Sequence, residues 1–284
     1  MTKTPPVQSN AADSQQPSAA PNRPLTKQSP IQLWYASAAH DTPGKIESFC
    51  MRWLPQEEHQ SAAKFRVASA RHQHVIGRGM ARFLIADTNT APHQIQFRNL
   101  DHGKPIVETP EQLRRPFNIA HTKGLVICGI GAEAADEWLG VDVEGLNRKT
   151  DPGLAQRYFA PEEIEQLDRV KNDDAKQALF LKIWTLKEAF IKAIGTGLNT
   201  PLDQFAFVNA SSNSPRLVLK DESLAQGRHW QIRNVVTSPP SHSAPKPAIS
   251  FPRSNSPISE NECKTASSSS ANSRGIGISP ATYF

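Results

Sequence analysis

Cysteine is scarce: Cys50, Cys128 and Cys263 lie far apart in a chain of 284 residues. An odd count without metal-ligand spacing indicates neither a disulfide framework nor a zinc site. Long apolar runs are missing too. Nothing approaches the roughly 20 apolar residues that span a bilayer, and the opening Met-Thr-Lys-Thr-Pro-Pro has no apolar core of a secretory signal. The expectation is a cytoplasmic protein with no membrane partner. Nucleotide-loop glycines are incomplete: Gly129-Ile-Gly131 lacks a third glycine, and neither Gly77-Arg-Gly79 nor Gly195-Thr-Gly197 carries a Lys-Ser/Thr. No Ser-His-Asp or Cys-His nucleophilic set follows from spacing.

What is present is a net charge of +5, and its position decides its meaning. Residues 1–30 hold Lys3, Arg23 and Lys27 against Asp13. Residues 237–284 hold Lys246, Arg253, Lys264 and Arg274 against Glu260 and Glu262. Four of the five charges therefore sit in the tails, and the middle is nearly neutral. A basic body for nucleic acid is not supported.

Those tails are poor in residues to bury. The last 48 residues contain 13 Ser and 7 Pro, a composition that does not offset ordering entropy by burial. The expected organisation is a disordered tail over 1–30, an N-terminal half over 31–135, a C-terminal half over 136–236, and a disordered Ser/Pro tail over 237–284. Ile31–Ala36 reads as a strand, 56–86 as helical, and Ile95–Phe97, Ile106–Val107 and Phe117–Ala120 as short strands, the last breaking at His121. Leu125–Ile130 and Trp138–Glu144 read as a strand pair. Ala160-Pro-Glu-Glu163 opens a helix, and Ile183, Leu186, Phe190 and Ile194 mark a longer one over Ala178–Ile194 that Gly195 ends. Phe205–Phe207, Leu217–Leu219 and Trp230–Ile232 read as late strands. The class is α+β.

Three constellations carry chemistry. In Gly140-Val-Asp-Val-Glu144 the carboxylates of Asp142 and Glu144 share a strand face about 7 Å apart, which suits a hard divalent cation and equally suits an ordinary half-exposed strand. In Trp184-Thr-Leu-Lys-Glu-Ala-Phe-Ile-Lys192, Glu188 and Lys192 stand one turn apart, as a metal ligand and a phosphate contact or as a common surface ion pair. Asp101-His-Gly-Lys-Pro105 and Phe117-Asn-Ile-Ala-His-Thr122 pair a Gly-Lys turn with a His-Thr strand end, either phosphate-binding or structural. Singly, none of them decides.

In this order the segments resemble the surfactin-synthetase-activating type of 4′-phosphopantetheinyl transferase. That family carries a Gly-Lys-Pro turn, a Phe-Asn-Ile-Ser-His-Ser strand end, a Gly-(Ile/Val)-Asp-(Ile/Val)-Glu strand and a Trp-(Ser/Thr)-x-Lys-Glu-(Ala/Ser)-x-x-Lys helix. The resemblance covers about residues 60–235. It implies a monomer of two pseudo-symmetric halves, each with a small antiparallel sheet and a long helix, and coenzyme A in the cleft between them. The implied reaction transfers the phosphopantetheine arm to a serine of an apo acyl or peptidyl carrier protein, with release of 3′,5′-ADP. By the same resemblance Asp142, Glu144 and Glu188 hold Mg²⁺, Lys192 contacts a phosphate, and Glu188 is the candidate base. Gly103, Lys104, Pro105, His121 and Thr122 would contact coenzyme A, with Arg71 and Arg82 as looser phosphate candidates.

After Gln231-Ile-Arg-Asn-Val235 the pattern stops, where the family continues into a final apolar strand. The Ser/Pro tail stands in its place, which implies either a shifted reading frame or a tolerated loss of an edge strand. Two other functions stay open at this point: a catalytically impaired coenzyme A or carrier-binding homologue, and a different Mg²⁺-dependent phosphoryl enzyme.

Overall fold

The computed structural model describes residues 31–38, 43–131, 138–146, 148–151, 153–212, 214–228, 230–236 and 280–283. Expectations for 1–30 and 237–279 lie outside them. The N-terminal part runs β1 (Gln32–Ser37), α1 (Lys45–Met51), α2 (Gln56–Ala63), α3 (Ala68–Ile85), β2 (Gln96–Asn99), β3 (Pro105–Thr109), β4 (Phe117–Thr122) and β5 (Leu125–Ile130). The C-terminal part runs β6 (Val141–Asp142), α4 (Gly153–Tyr158), α5 (Pro161–Asp168), α6 (Asp173–Ile194), β7 (Phe205–Val208), β8 (Arg216–Leu219), β9 (Arg233–Val236) and β10 (Pro280–Tyr283). The chain thus mixes helices with small antiparallel sheets.

β5 is the central strand of a three-stranded sheet in the order β1-β5-β4, antiparallel on both sides. Alternation assigns its faces. Val126, Cys128 and Ile130 join the core beneath α3 with Val75, Ile76 and Ile85. Leu125 and Ile127 point the other way, into a cluster with Leu139, Val141 and Val143. That second cluster joins the two parts of the chain, and the buried Asn118 side chain adds to it by accepting from the Val141 N–H at 2.9 Å.

α6 organises the C-terminal part. Asn172 caps it by accepting from the Ala175 N–H at 2.8 Å, and Gly195 stops it at φ +74°, the left-handed conformation that glycine adopts without a Cβ penalty. Its apolar stripe packs with Phe205 and Phe207 of β7 and with Phe159. Gly140 lies directly against the helix: a Cβ there would collide with the Ala189 carbonyl and stand 2.5 Å from the Ala193 nitrogen. This close approach sets β6 on the backbone of α6.

Several expectations change. Trp138–Glu144 is extended only as the two-residue β6, and it pairs with β10 rather than with β5. β4 continues through His121 and Thr122 instead of breaking there. The helical stretch 56–86 is two helices with a break at residues 64–67. The last strand of the body is Arg233–Val236, not Trp230–Ile232. Within the tail, Pro280–Tyr283 is a strand, lying between β6 and β9 with Thr282 opposite Asp142.

Candidate active site

Asp142 ends β6 with its carboxylate buried, 5% exposed. Oδ1 accepts from Lys192 Nζ at 2.6 Å, a contact that joins the Gly-Val-Asp-Val-Glu segment to α6 across 50 residues of sequence. Oδ2 is buried without a hydrogen-bond partner. Burial holds the Asp142 carboxyl above its ordinary pKa, partly offset by the Lys192 ammonium. Glu188, one turn before Lys192, makes no hydrogen bond or ion pair to any described residue. Burial raises its pKa as well, Asp142 adds to the rise, and Lys192 and Arg148 oppose it. Raised carboxyls that sense one another mark acids brought together against the cost of desolvation.

Glu144 is engaged differently. Thr122 Oγ1 donates to its Oε2 at 3.2 Å, and Arg148 pairs with its Oε1. Among the described residues no group of three His, Cys, Asp or Glu side chains is arranged to hold a metal ion. The donor set is nonetheless the right kind for a hard cation: Glu188 is unengaged and Asp142 Oδ2 is an orphaned buried oxygen.

The strand end of β4 closes one side. His121 titrates below its ordinary value, first through burial and then through Lys192, while Asp142 opposes the shift. The Thr122 carbonyl accepts from Gln73 Nε2 of α3 at 2.9 Å. His74, on the same helix, is lowered by burial and by Arg78, with a smaller contribution from His121. Thus the α3 face, the β4 end, β6 and α6 converge, and His121, Thr122, Asp142, Glu144, Glu188 and Lys192 form one neighbourhood. A surface cavity of about 800 Å³ lined by Leu217, Leu219, Trp230 and Arg233 contains none of them.

Four other candidates sit elsewhere. Arg82 is 2% exposed, forks onto Glu58 at 2.9 Å with two nitrogens and donates to the Ile95 carbonyl. It is a core ion pair, closed to a phosphate. Arg71 is half-buried beside Glu47 at 3.4 Å. Gly103 (φ +83°) turns the chain into Pro105 with open space around it. Lys104 points inward, donating to the Ala193 carbonyl at 2.5 Å and the Leu139 carbonyl at 3.2 Å, with its ammonium over Trp138. The Arg228 guanidinium also packs on Trp138. The Gly-Lys-Pro turn therefore clasps the end of α6, and its ammonium is spent on backbone carbonyls.

Sequence comparison settles the family. A profile of the 4′-phosphopantetheinyl transferase superfamily matches residues 139–244, and one of the 4′-phosphopantetheinyl transferase N-terminal region matches 43–132. A putative 4′-phosphopantetheinyl transferase, slr0495 of Synechocystis sp., is 30% identical over 190 residues, which are 63% of this chain and 70% of that protein. The chain belongs to the 4′-phosphopantetheinyl transferase superfamily. Similarity to Sfp of Bacillus subtilis, 29% identical over 55% of this chain and 66% of Sfp, places it with the surfactin-synthetase-activating type. The 4′-phosphopantetheinyl transferase HetI of Nostoc sp. is 32% identical over 51% of this chain, and that match spans 61% of HetI. The first profile begins at Leu139, so it takes in Asp142, Glu144, Glu188 and Lys192 together. No described helix is long and apolar enough to cross a membrane.

Sequence reading missed three residues of this neighbourhood. Arg148 has no motif, and its pairing with Glu144 at i,i+4 across a turn was the only signal. Gln73 carries no motif, and His72 and His74, two residues apart on a helix, point in divergent directions and make no metal pair.

Proposed function

We propose that the chain transfers the 4′-phosphopantetheine arm of coenzyme A to a serine hydroxyl of an apo acyl or peptidyl carrier protein and releases 3′,5′-ADP. The observation that carries this reading is the 2.6 Å contact of Lys192 with Asp142, which brings the strand motif and the helix motif to one point with Glu188 beside them. Coenzyme A would lie along the seam where β4, β6, α3 and α6 meet, between two halves of similar design.

The serine oxygen attacks the phosphorus that bears the pantetheine arm, and the bond from that phosphorus to the 3′,5′-ADP oxygen breaks. Glu188 takes the serine proton, directly or through one water. Burial and Asp142 raise its pKa, and base strength rises with pKa. Lys192 donates to a phosphate oxygen as a point charge and trades part of its hold on Asp142 to do so. Asp142, Glu144 and Glu188 would hold Mg²⁺, which when bound neutralises charge on the pyrophosphate. His121 and Thr122 line the nucleotide side.

The test is incubation of the full chain with coenzyme A, Mg²⁺ and several apo carrier proteins, followed by intact mass of each carrier. The expected result is a gain of one phosphopantetheine arm, lost in Asp142→Asn and Glu188→Gln variants that keep the parent circular dichroism. A folded parent that modifies no carrier, or variants with parent turnover, would overturn the assignment.

A further inference from the structure

Glu144 differs from its two acidic neighbours in having no oxygen to offer. Asp142 keeps Oδ2 free of hydrogen bonds and Glu188 is unengaged, whereas Glu144 gives Oε2 to Thr122 and Oε1 to Arg148. Arg148 combines an anchored backbone with a partly solvated side chain. Its backbone is fixed, with its N–H donating to the Gly145 carbonyl at 2.9 Å and its carbonyl accepting from Gln177 Nε2 at 3.0 Å. Gln177 lies on α6 and also reaches Thr150 Oγ1 at 2.6 Å. The Arg148 side chain, in contrast, is 48% exposed while Glu144 is 10% exposed. An anchored backbone and a half-solvated guanidinium let the charge swing without moving the strand that carries Asp142 and Glu144.

We propose that Arg148 is a resident cation that holds Glu144 in the place of the divalent ion and gives it up when metal and a diphosphate enter together. This rests on the metal reading of the acidic cluster given above. Two cations, Arg148 and Lys192, already face three carboxylates, so a divalent ion arriving alone must displace Arg148 and then tolerate its charge nearby. A diphosphate supplies the counter-charge. Released from Glu144, the guanidinium has a planar fork that matches the oxygens of the entering diphosphate.

The consequence is measurable without turnover. The full chain is titrated with Mn²⁺ in the absence of coenzyme A, free Mn²⁺ being read by electron paramagnetic resonance. Arg148→Gln should bind Mn²⁺ about three- to tenfold more tightly than the parent, the scale expected for removing one partly exposed ion pair and one nearby like charge. Arg148→Lys should stay near the parent, and Lys149→Gln, which removes an exposed charge from the adjacent position, should change nothing. Equal affinities for parent and Arg148→Gln, each lost in Asp142→Asn, would overturn the proposal and leave the metal reading standing. An equal gain in Lys149→Gln would reduce the effect to general charge and overturn it also. Absence of binding by every variant, with coenzyme A as well as without, would overturn both readings.

Discussion

Lys187 Nζ stands 2.7 Å from Glu163 Oε2, and neither side chain reaches solvent. Both groups make further hydrogen bonds. Lys187 donates to the Leu202 and Phe205 carbonyls at 2.6 and 2.7 Å, and Glu163 accepts from the Ala160 and Phe207 N–H groups at 3.0 and 2.9 Å. Burial pushes the lysine below and the glutamate above their ordinary pKa values, each opposed by the other. One ion pair thus ties the start of α5, the middle of α6 and the edge of β7.

Removing one partner leaves the other charged and dry. Lys187→Met or Glu163→Gln should each cost about 3–5 kcal/mol in urea unfolding, whereas the double change Glu163→Leu/Lys187→Met should recover a large part, since a buried pair replaced by apolar groups is often neutral. Single variants with parent stability would show that the pair holds nothing.

Gly140 places β6 on the α6 backbone with no room for a methyl group. Gly140→Ala should separate Asp142 from Lys192, destabilise the fold by about 1–3 kcal/mol as overpacking does, and reduce carrier modification more than stability alone explains. Parent turnover in a folded Gly140→Ala protein would reject the close approach.

Burial pushes the Lys104 ammonium down to about 8 from an ordinary 10.5. Between those values the unfolded chain binds more protons than the folded one, so this group makes stability rise with pH across that window and contributes its full burial penalty below it. The unfolding free energy of the parent minus that of Lys104→Met should therefore grow between about pH 8 and pH 10. A difference that stays constant with pH would refute the shift.

β10 supplies the strand shared by β6 and β9. Deleting residues 280–284 should speed amide hydrogen exchange at Val141, Asp142 and Arg233–Val236 and lower the melting temperature, at about 2–4 °C per kcal/mol for a body of this size. Unchanged exchange in those strands would show that the segment does not close the sheet.

The sequence made the carboxylates and Lys192 legible because their spacing is local: alternation on a strand and one turn on a helix. It did not disclose what covers each side chain. Arg71 and Arg82 are eleven residues apart on α3 and share a face, yet Glu58 of α2 seals Arg82 while Arg71 stays half open. The packing of α2 and the carbonyl of Ile95 separate them. Lys187 carried a readable signal, since it falls on the stripe of Ile183, Phe190, Ile191 and Ile194, but a lysine is ordinarily taken to face solvent. Lys104 was placed by its turn, and its direction depends on Ala193, 89 residues further on.

That separation bears on how the molecule assembles. Closing so long a loop costs chain entropy that one hydrogen bond offsets only together with the packing around it. The clasp of Lys104 on the end of α6 therefore couples the two parts of the chain. A chain in which the N-terminal sheet and α6 had each formed without that contact would lack the seam where Asp142 meets the β4 strand end. Competence of the site thus becomes a property of the finished molecule rather than of either half.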